Sequence, residues 1–324
     1  MVDSRFAGST AQQVVGFGGS IPVVGSLDAA LEIRPVPDAV LIGIAPQGGV
    51  LPASWRRTLE RAIDAGLDIW SGLHTPLADD PALSERARAT GVRLFDLRKP
   101  PRDLVVGTGR ARETRGMRVL TVGIDCNVGK MTTALEVRRE LERRGVAAAF
   151  AATGQTGILI AGRGIAVDAV VSDFISGAAE RLTLEAAGDA EIVLVEGQGS
   201  LMHPGYAGVT LGLLHGTMPE AMILCGMPSR PRVFGGRHDW VVLPPPDVAA
   251  SRYEEALSWI CPEVAGRVVA VSLATYELDE AAARRAVDEA REVTGLPVTD
   301  PVRFDAAPLA DALEERLAER RAAG

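Results

Sequence analysis

The stretch Arg118-Val-Leu-Thr-Val122, followed at once by Gly123-Ile-Asp-Cys-Asn-Val-Gly129-Lys130-Met131-Thr132-Thr133, decides how this chain is read. A β-branched apolar run gives way to a glycine-bounded loop, and a helical pattern runs from about Met131 to Arg144. Strand, glycine loop and helix in that order are the context a phosphate-binding loop requires. Glycines let backbone N–H groups converge on an anion. The helix N-terminus adds partial positive charge, and lysine adds a mobile full charge. The expected cofactor-binding residues are therefore Gly123, Asp125, Asn127, Val128, Gly129, Lys130, Met131, Thr132 and Thr133. An ordinary strand-to-helix turn accounts for the glycines but not for the lysine.

The loop departs from the standard pattern twice. Five residues, not four, separate Gly123 from Gly129, and Met131 stands where Ser or Thr normally holds Mg²⁺. Thr132 lies one residue on, about 100° round the helix, so its hydroxyl points elsewhere. Phosphate binding is expected from this loop; magnesium-dependent γ-phosphoryl transfer is not. Of the 34 basic residues only Lys99 and Lys130 are lysines, so an arginine-using chain has placed a lysine in its glycine loop.

Working outward, the same alternation recurs on both sides. Before the loop, Ala39–Ala45, Leu67–Trp70 and Val92–Leu97 read as strands, with helices over Ser54–Ala65 and Pro81–Thr90 between them. After it, Val146–Ala152, Glu191–Val195, Ala221–Cys225 and Val268–Leu273 read as strands. Helices are expected near Asp173–Ala187, Val248–Ile260, Asp279–Val293 and Ala306–Ala323. The Pro- and Arg/Gly-rich segment from Lys99 to Gly116 reads as a connection, which puts a domain boundary near 115. The expected fold class is α/β, with two doubly wound parallel-sheet domains over residues 1–115 and 116–324.

Composition bounds the function. The 324 residues carry a net charge of −8, which argues against nucleic acid as the main partner, since phosphate backbones need a basic face. Three scattered cysteines (Cys126, Cys225, Cys261) make neither a disulfide framework nor a metal knuckle. No apolar run approaches a membrane span, and the N-terminus lacks a secretory pattern. The expected setting is the cytoplasm. The expected partners are a small-molecule substrate and further copies of the chain, with no nucleic acid, no membrane and no bound metal.

Several residues are aimed at the same crevice. Glu196 follows the strand Glu191–Val195, apolar after its first residue, and the carboxyl ends of strands in open α/β sheets face the ligand. It is the first choice for a base, against a reading as a loop carboxylate that caps a helix. His203, in the Gly/Pro-rich stretch after that strand, and Asp168 are its substitutes. The loop Gly154-Gln155-Thr156-Gly157 offers backbone donors and a side-chain amide, with Arg163 close behind. Asp173 reads equally well as a helix cap. Arg230 and Arg237, in the loop Pro228–Arg237, are further cationic candidates. Cys126 lies near a helix N-terminus that lowers a thiol pKa, although an unreactive loop residue is the better reading. His215 reads as a helix-end residue. In the first half, Gln47 and His74 follow strands, and Gly16-Phe-Gly18-Gly19 lacks the third glycine of a dinucleotide fingerprint, which disfavours nicotinamide chemistry.

Together these strings resemble known families. The loop with Glu196-Gly is similar to the dethiobiotin synthetase branch of P-loop proteins, which shares the longer glycine spacing. The strings GIDCNVGKMTTALE, GQTGILIAG, SDFISGAAE and EGQGSLMHPGYAGVT resemble a narrower family, long catalogued as a domain of unknown function, whose characterised members are D-glutamate N-acetyltransferases. The resemblance covers nearly the whole chain and is densest from about 118 to 240. It implies a Rossmann-like N-terminal domain, a P-loop NTPase-like C-terminal domain, and transfer of an acetyl group from acetyl-CoA to a D-amino acid. The loop accommodates this, because the pyrophosphate of CoA needs a cradle but no catalytic Mg²⁺. Under this reading Glu196, His203 and Asp168 are the catalytic candidates. Gln155, Thr156, Arg163, Asp173, Arg230 and Arg237 are the substrate-binding ones. The alternatives are a ligase or kinase using ATP with Mg²⁺ on a small carboxylic acid, and a non-catalytic nucleotide-binding regulator.

Overall fold

The computed structural model describes residues 1–44, 51–260 and 266–323. They form two compact units, Met1–Lys99 and Pro100–Gly324. The second unit begins well before the expected boundary near 115, and the reason is local. Thr108 (N, 3.0 Å; Oγ1, 2.9 Å) and the Arg110 N–H (2.7 Å) all donate to the carboxylate of Glu180, which is buried within the second unit.

The first unit runs α1 (Ala11–Val15), α2 (Leu27–Leu31), β1 (Ala39–Ile42), α3 (Ala53–Asp64), β2 (Asp68–Ser71), α4 (Pro81–Thr90) and β3 (Leu94–Asp96). Its three strands pair in parallel in the order β1-β2-β3, a Rossmann-like β-α-β-α-β succession. α3 buries Leu59, Ala62 and Ile63 on one stripe, and α4 starts where the Asp80 carboxylate accepts from the Ala82 and Leu83 N–H groups. These side chains and Ile69 of β2 form a core of their own. Gly16, Gly18 and Gly19 follow α1 instead of opening a helix after a strand, so they do not form a dinucleotide turn. β1 stops at Ile42; Ala45 and Gln47 lie outside the described residues, as does Cys261.

The second unit runs β4 (Met117–Gly123), α5 (Lys130–Arg143), β5 (Ala148–Ala151), α6 (Gln155–Ala161), α7 (Ile175–Ala187), β6 (Ile192–Val195), α8 (Ala207–Thr217), β7 (Ala221–Gly226), α9 (Pro246–Ser258), β8 (Arg267–Leu273), α10 (Glu280–Thr294), β9 (Val298–Thr299) and α11 (Ala307–Ala323). All six strands are parallel, in the order β5-β6-β4-β7-β8-β9. β4, β6 and β7 are buried along their whole length, as strands covered on both faces must be. The chain leaves β4 in one direction to reach β5, then returns through β6 and crosses to β7. Right-handed crossovers therefore put α5 on one face and α7, α8, α9 and α10 on the other. That reversal makes the carboxyl ends of β4, β6 and β7 the place for a ligand crevice.

One element departs from the sequence reading with consequences for the site. Gly154-Gln155-Thr156-Gly157 is the first turn of α6, bounded by Gly154 and by Gly162 in the left-handed region, and not a loop.

Candidate functional site

The site begins where β4 hands over to α5. Gly129 precedes α5 with φ 88°, a conformation that glycine adopts without strain, and Asn127 is left-handed at φ 52°. A Cβ on residue 123 would come within 2.7 Å of both the Asp125 carbonyl oxygen and Lys130 Nζ, so the glycine keeps the cradle open. Lys130 is buried, and its ammonium donates to the Asp125 carbonyl at 2.9 Å. Burial pulls its pKa below the usual lysine value, which makes an incoming phosphate an effective partner for the charge.

The loop is braced from behind. Tyr253, fully buried on α9, donates its hydroxyl to the Gly123 carbonyl (2.7 Å) and accepts the Leu201 N–H (3.2 Å). Ser200 Oγ donates to the Ile124 carbonyl at 2.9 Å. These contacts join the phosphate loop to the segment that follows Glu196. The sequence reading missed both residues, because each acts across more than fifty positions of chain.

Glu196 stands at the end of β6, buried. Its Oε2 accepts the Thr153 N–H (2.9 Å) and the Gly154 N–H (3.2 Å), while Oε1 takes no protein partner among the described residues. Burial pushes its carboxyl up to about 7, with nearby Asp168 adding to the rise; the two backbone donors and the Lys130 charge oppose it. A carboxylate that is half protonated near neutral pH with one oxygen uncommitted is equipped for proton transfer. Gly157 provides the room, since a methyl group there would overlap Glu196 Oε2.

The other expected residues divide. Thr132 is exposed at the start of α5, and Met131 is half-buried beside it. Thr133 is buried, and its hydroxyl pairs with Ser272 Oγ at 2.7 Å. The Asp125 carboxylate is also turned away from the cradle, accepting the Cys126 N–H (2.7 Å) and the Phe234 N–H (2.7 Å) and pairing with Arg230 (3.3 Å). Arg230 also donates to the Cys126 carbonyl (2.8 Å) and stacks on Phe234, so its Nη1 holds the loop. Arg163, Arg237 and Asp173 are exposed; Asp173 sits in a 3-10 turn before α7 and caps nothing. Gln155 is half-buried and Thr156 exposed on the first turn of α6. His215 lies in the last turn of α8, its Nε2 3.0 Å from the Ala256 carbonyl, as a helix-end residue should.

Asp125, Cys126 and His203 place one ligand-type atom each within 4.8 Å of one another. Their chemistry does not suit a cation. His203 Nδ1 accepts the Gly205 N–H at 3.0 Å, which puts the ring proton on Nε2 and leaves no free lone pair. Burial pushes the Cys126 thiol up to about 11, the opposite of an activated nucleophile, and both Asp125 oxygens are engaged. The same tautomer removes His203 as a base; burial lowers its pKa, and its ring packs against Tyr206 and His238.

Val128, at the tip of the loop, lines two clefts. One of about 390 Å³ lies beside Thr132, Tyr276, Asp300 and Arg303. The other, of about 460 Å³, lies beside Asp125, Arg230, Leu243 and Pro245.

Residues 4–100 match the Rossmann-like N-terminal domain of DUF1611, a domain of unknown function, and residues 105–310 match its C-terminal P-loop domain. The chain belongs to the DUF1611 family. A crystal structure of a DUF1611 family protein from Anabaena variabilis ATCC 29413 superposes with a TM-score of 0.90 at 38% identity, covering 97% of this chain and 90% of that one. A relative from Tritonibacter scottomollicae, named D-glutamate N-acetyltransferase, is 41% identical over 277 residues, 85% of this chain and 80% of that protein. A second protein of that name, from a Pseudoalteromonas species, is 37% identical over 263 residues, 81% of this chain and 77% of its own length.

Proposed function

We propose that this DUF1611 protein is an N-acetyltransferase that moves the acetyl group of acetyl-CoA to the amino group of D-glutamate or a similar D-amino acid. The observation that carries the reading is Glu196, a buried carboxylate with one uncommitted oxygen and a carboxyl near 7, beside the Lys130 loop. The names of the two curated relatives support the same reaction.

An amino acid arrives as an ammonium ion and attacks only as the free amine. Glu196 Oε1 removes that proton. The nitrogen then bonds to the acetyl carbonyl carbon, the carbon–sulfur bond breaks, and CoA departs as the thiol once it has taken up a proton. Lys130 and the backbone N–H groups of the loop hold the pyrophosphate of CoA, and the clefts on either side of Val128 give room for the parts of the carrier that extend from it. No step requires a hydroxyl at Met131.

The test is release of free thiol from acetyl-CoA, followed with D-glutamate and without nucleotide. Wild-type protein should release thiol only when the amino acid is present, and Glu196→Gln should lose about 10²–10⁴-fold in rate. ATP hydrolysis stimulated by a carboxylic acid, with no thiol release, would assign the loop to a ligase instead.

A further inference from the structure

Gln198 lies two residues beyond Glu196 in the same turn, and none of the candidate roles above uses it. Its side-chain amide, half-buried, takes no protein partner among the described residues. It is nevertheless placed. A methyl group on Gly154 would overlap the amide end of Gln198 and would stand 3.3 Å from Glu196 Oε1. One glycine hydrogen therefore faces two uncommitted polar groups, a carboxylate oxygen and an amide. The backbone fixes both, because the Thr210 hydroxyl donates to the Gln198 carbonyl (2.8 Å) and Thr153 and Gly154 hold the other Glu196 oxygen.

We propose that Gln198 and Glu196 Oε1 form the subsite for the head group of an α-amino acid, with the Gln198 amide donating to the α-carboxylate and Glu196 receiving the amine. An α-amino acid presents a donor and an acceptor on adjacent carbons, and the protein presents their complements across Gly154. The pairing selects an α-amino acid over a simple amine, which would leave the amide unmatched. The assignment rests on the acetyltransferase reading and supplies it with an acceptor site beside the base.

The experiment is steady-state thiol release with D-glutamate varied at saturating acetyl-CoA, for Gln198→Ala, Gln198→Glu and Gly154→Ala. Gly154 has ordinary extended dihedrals, so alanine there displaces the flexible amide end of Gln198 and presses Glu196 Oε1 back by a few tenths of an ångström, without straining the backbone. Gln198→Ala and Gly154→Ala should each raise KM for D-glutamate about tenfold and leave KM for acetyl-CoA unchanged, since one charge-assisted hydrogen bond is lost. Gln198→Glu keeps the shape and adds a negative charge beside Glu196, where Lys130 and Asp168 are the other charged neighbours. It should raise KM and move the rising limb of kcat/KM to higher pH. Unchanged KM for D-glutamate in both Gln198→Ala and Gly154→Ala overturns the subsite, even if Glu196→Gln is inactive. Activity retained in Glu196→Gln overturns the base reading and the subsite with it, as does wild-type protein that releases no thiol with D-glutamate.

Discussion

At the scale of single residues, the same burial that prepares Glu196 for proton transfer costs stability. The folded carboxyl sits near 7, above its ordinary 4.5, so the folded state holds the proton more tightly than the unfolded chain does. Its contribution is therefore complete below about 4.5 and is lost as pH rises toward 7, by up to about 3 kcal/mol. Glu196→Gln retains an acceptor for the Thr153 and Gly154 N–H groups but carries no charge. Thermal melts should show this variant more stable than wild type at pH 8 and little different at pH 4.5. A variant less stable at pH 8 would mean that the carboxylate is held in a favourable charged state. For the wild type, kcat/KM should rise with pH through about 7, because only the ionised carboxylate accepts a proton.

At the scale of elements, the phosphate loop depends on α9. Tyr253→Phe removes the hydroxyl that serves both the buried Gly123 carbonyl and the half-buried Leu201 N–H at a cost of about 1–3 kcal/mol. Differential scanning calorimetry should show the midpoint lowered by about 2–4 °C for each kcal/mol in a domain of this size. An unchanged midpoint would mean that the hydroxyl is not a brace. The strand–loop–helix β4–α5 and the placement of Glu196 were legible because local pattern determines them: a β-branched run, a glycine pair, an apolar strand ending in an acid. α6 was not, since Gly154 and Gly157 read as a turn, whereas here they make room for Gln198 and Glu196. α8 was legible only at its end, through His215, because its apolar residues and glycines are spread all round, giving no stripe to read. The roles of Arg230 and Asp125 depend on a contact between residues 105 apart in sequence, which no local pattern records.

At the scale of the molecule, every residue of the cradle, its braces and the Glu196 pocket lies within Pro100–Gly324, which has its own core. A chain of residues 100–324 should therefore bind CoA within a few-fold of the full-length protein, measured by titration. A loss of binding in a folded fragment would place part of the carrier site in Met1–Lys99. In the whole protein the decisive quantity is the affinity of the loop for the phosphates of CoA, with and without its ammonium. Isothermal titration of CoA into wild-type protein and Lys130→Ala should show affinity falling about tenfold to hundredfold, as expected for removal of a charge-assisted contact. Equal affinity in the two proteins would contradict the assignment of this loop as the carrier's anchor.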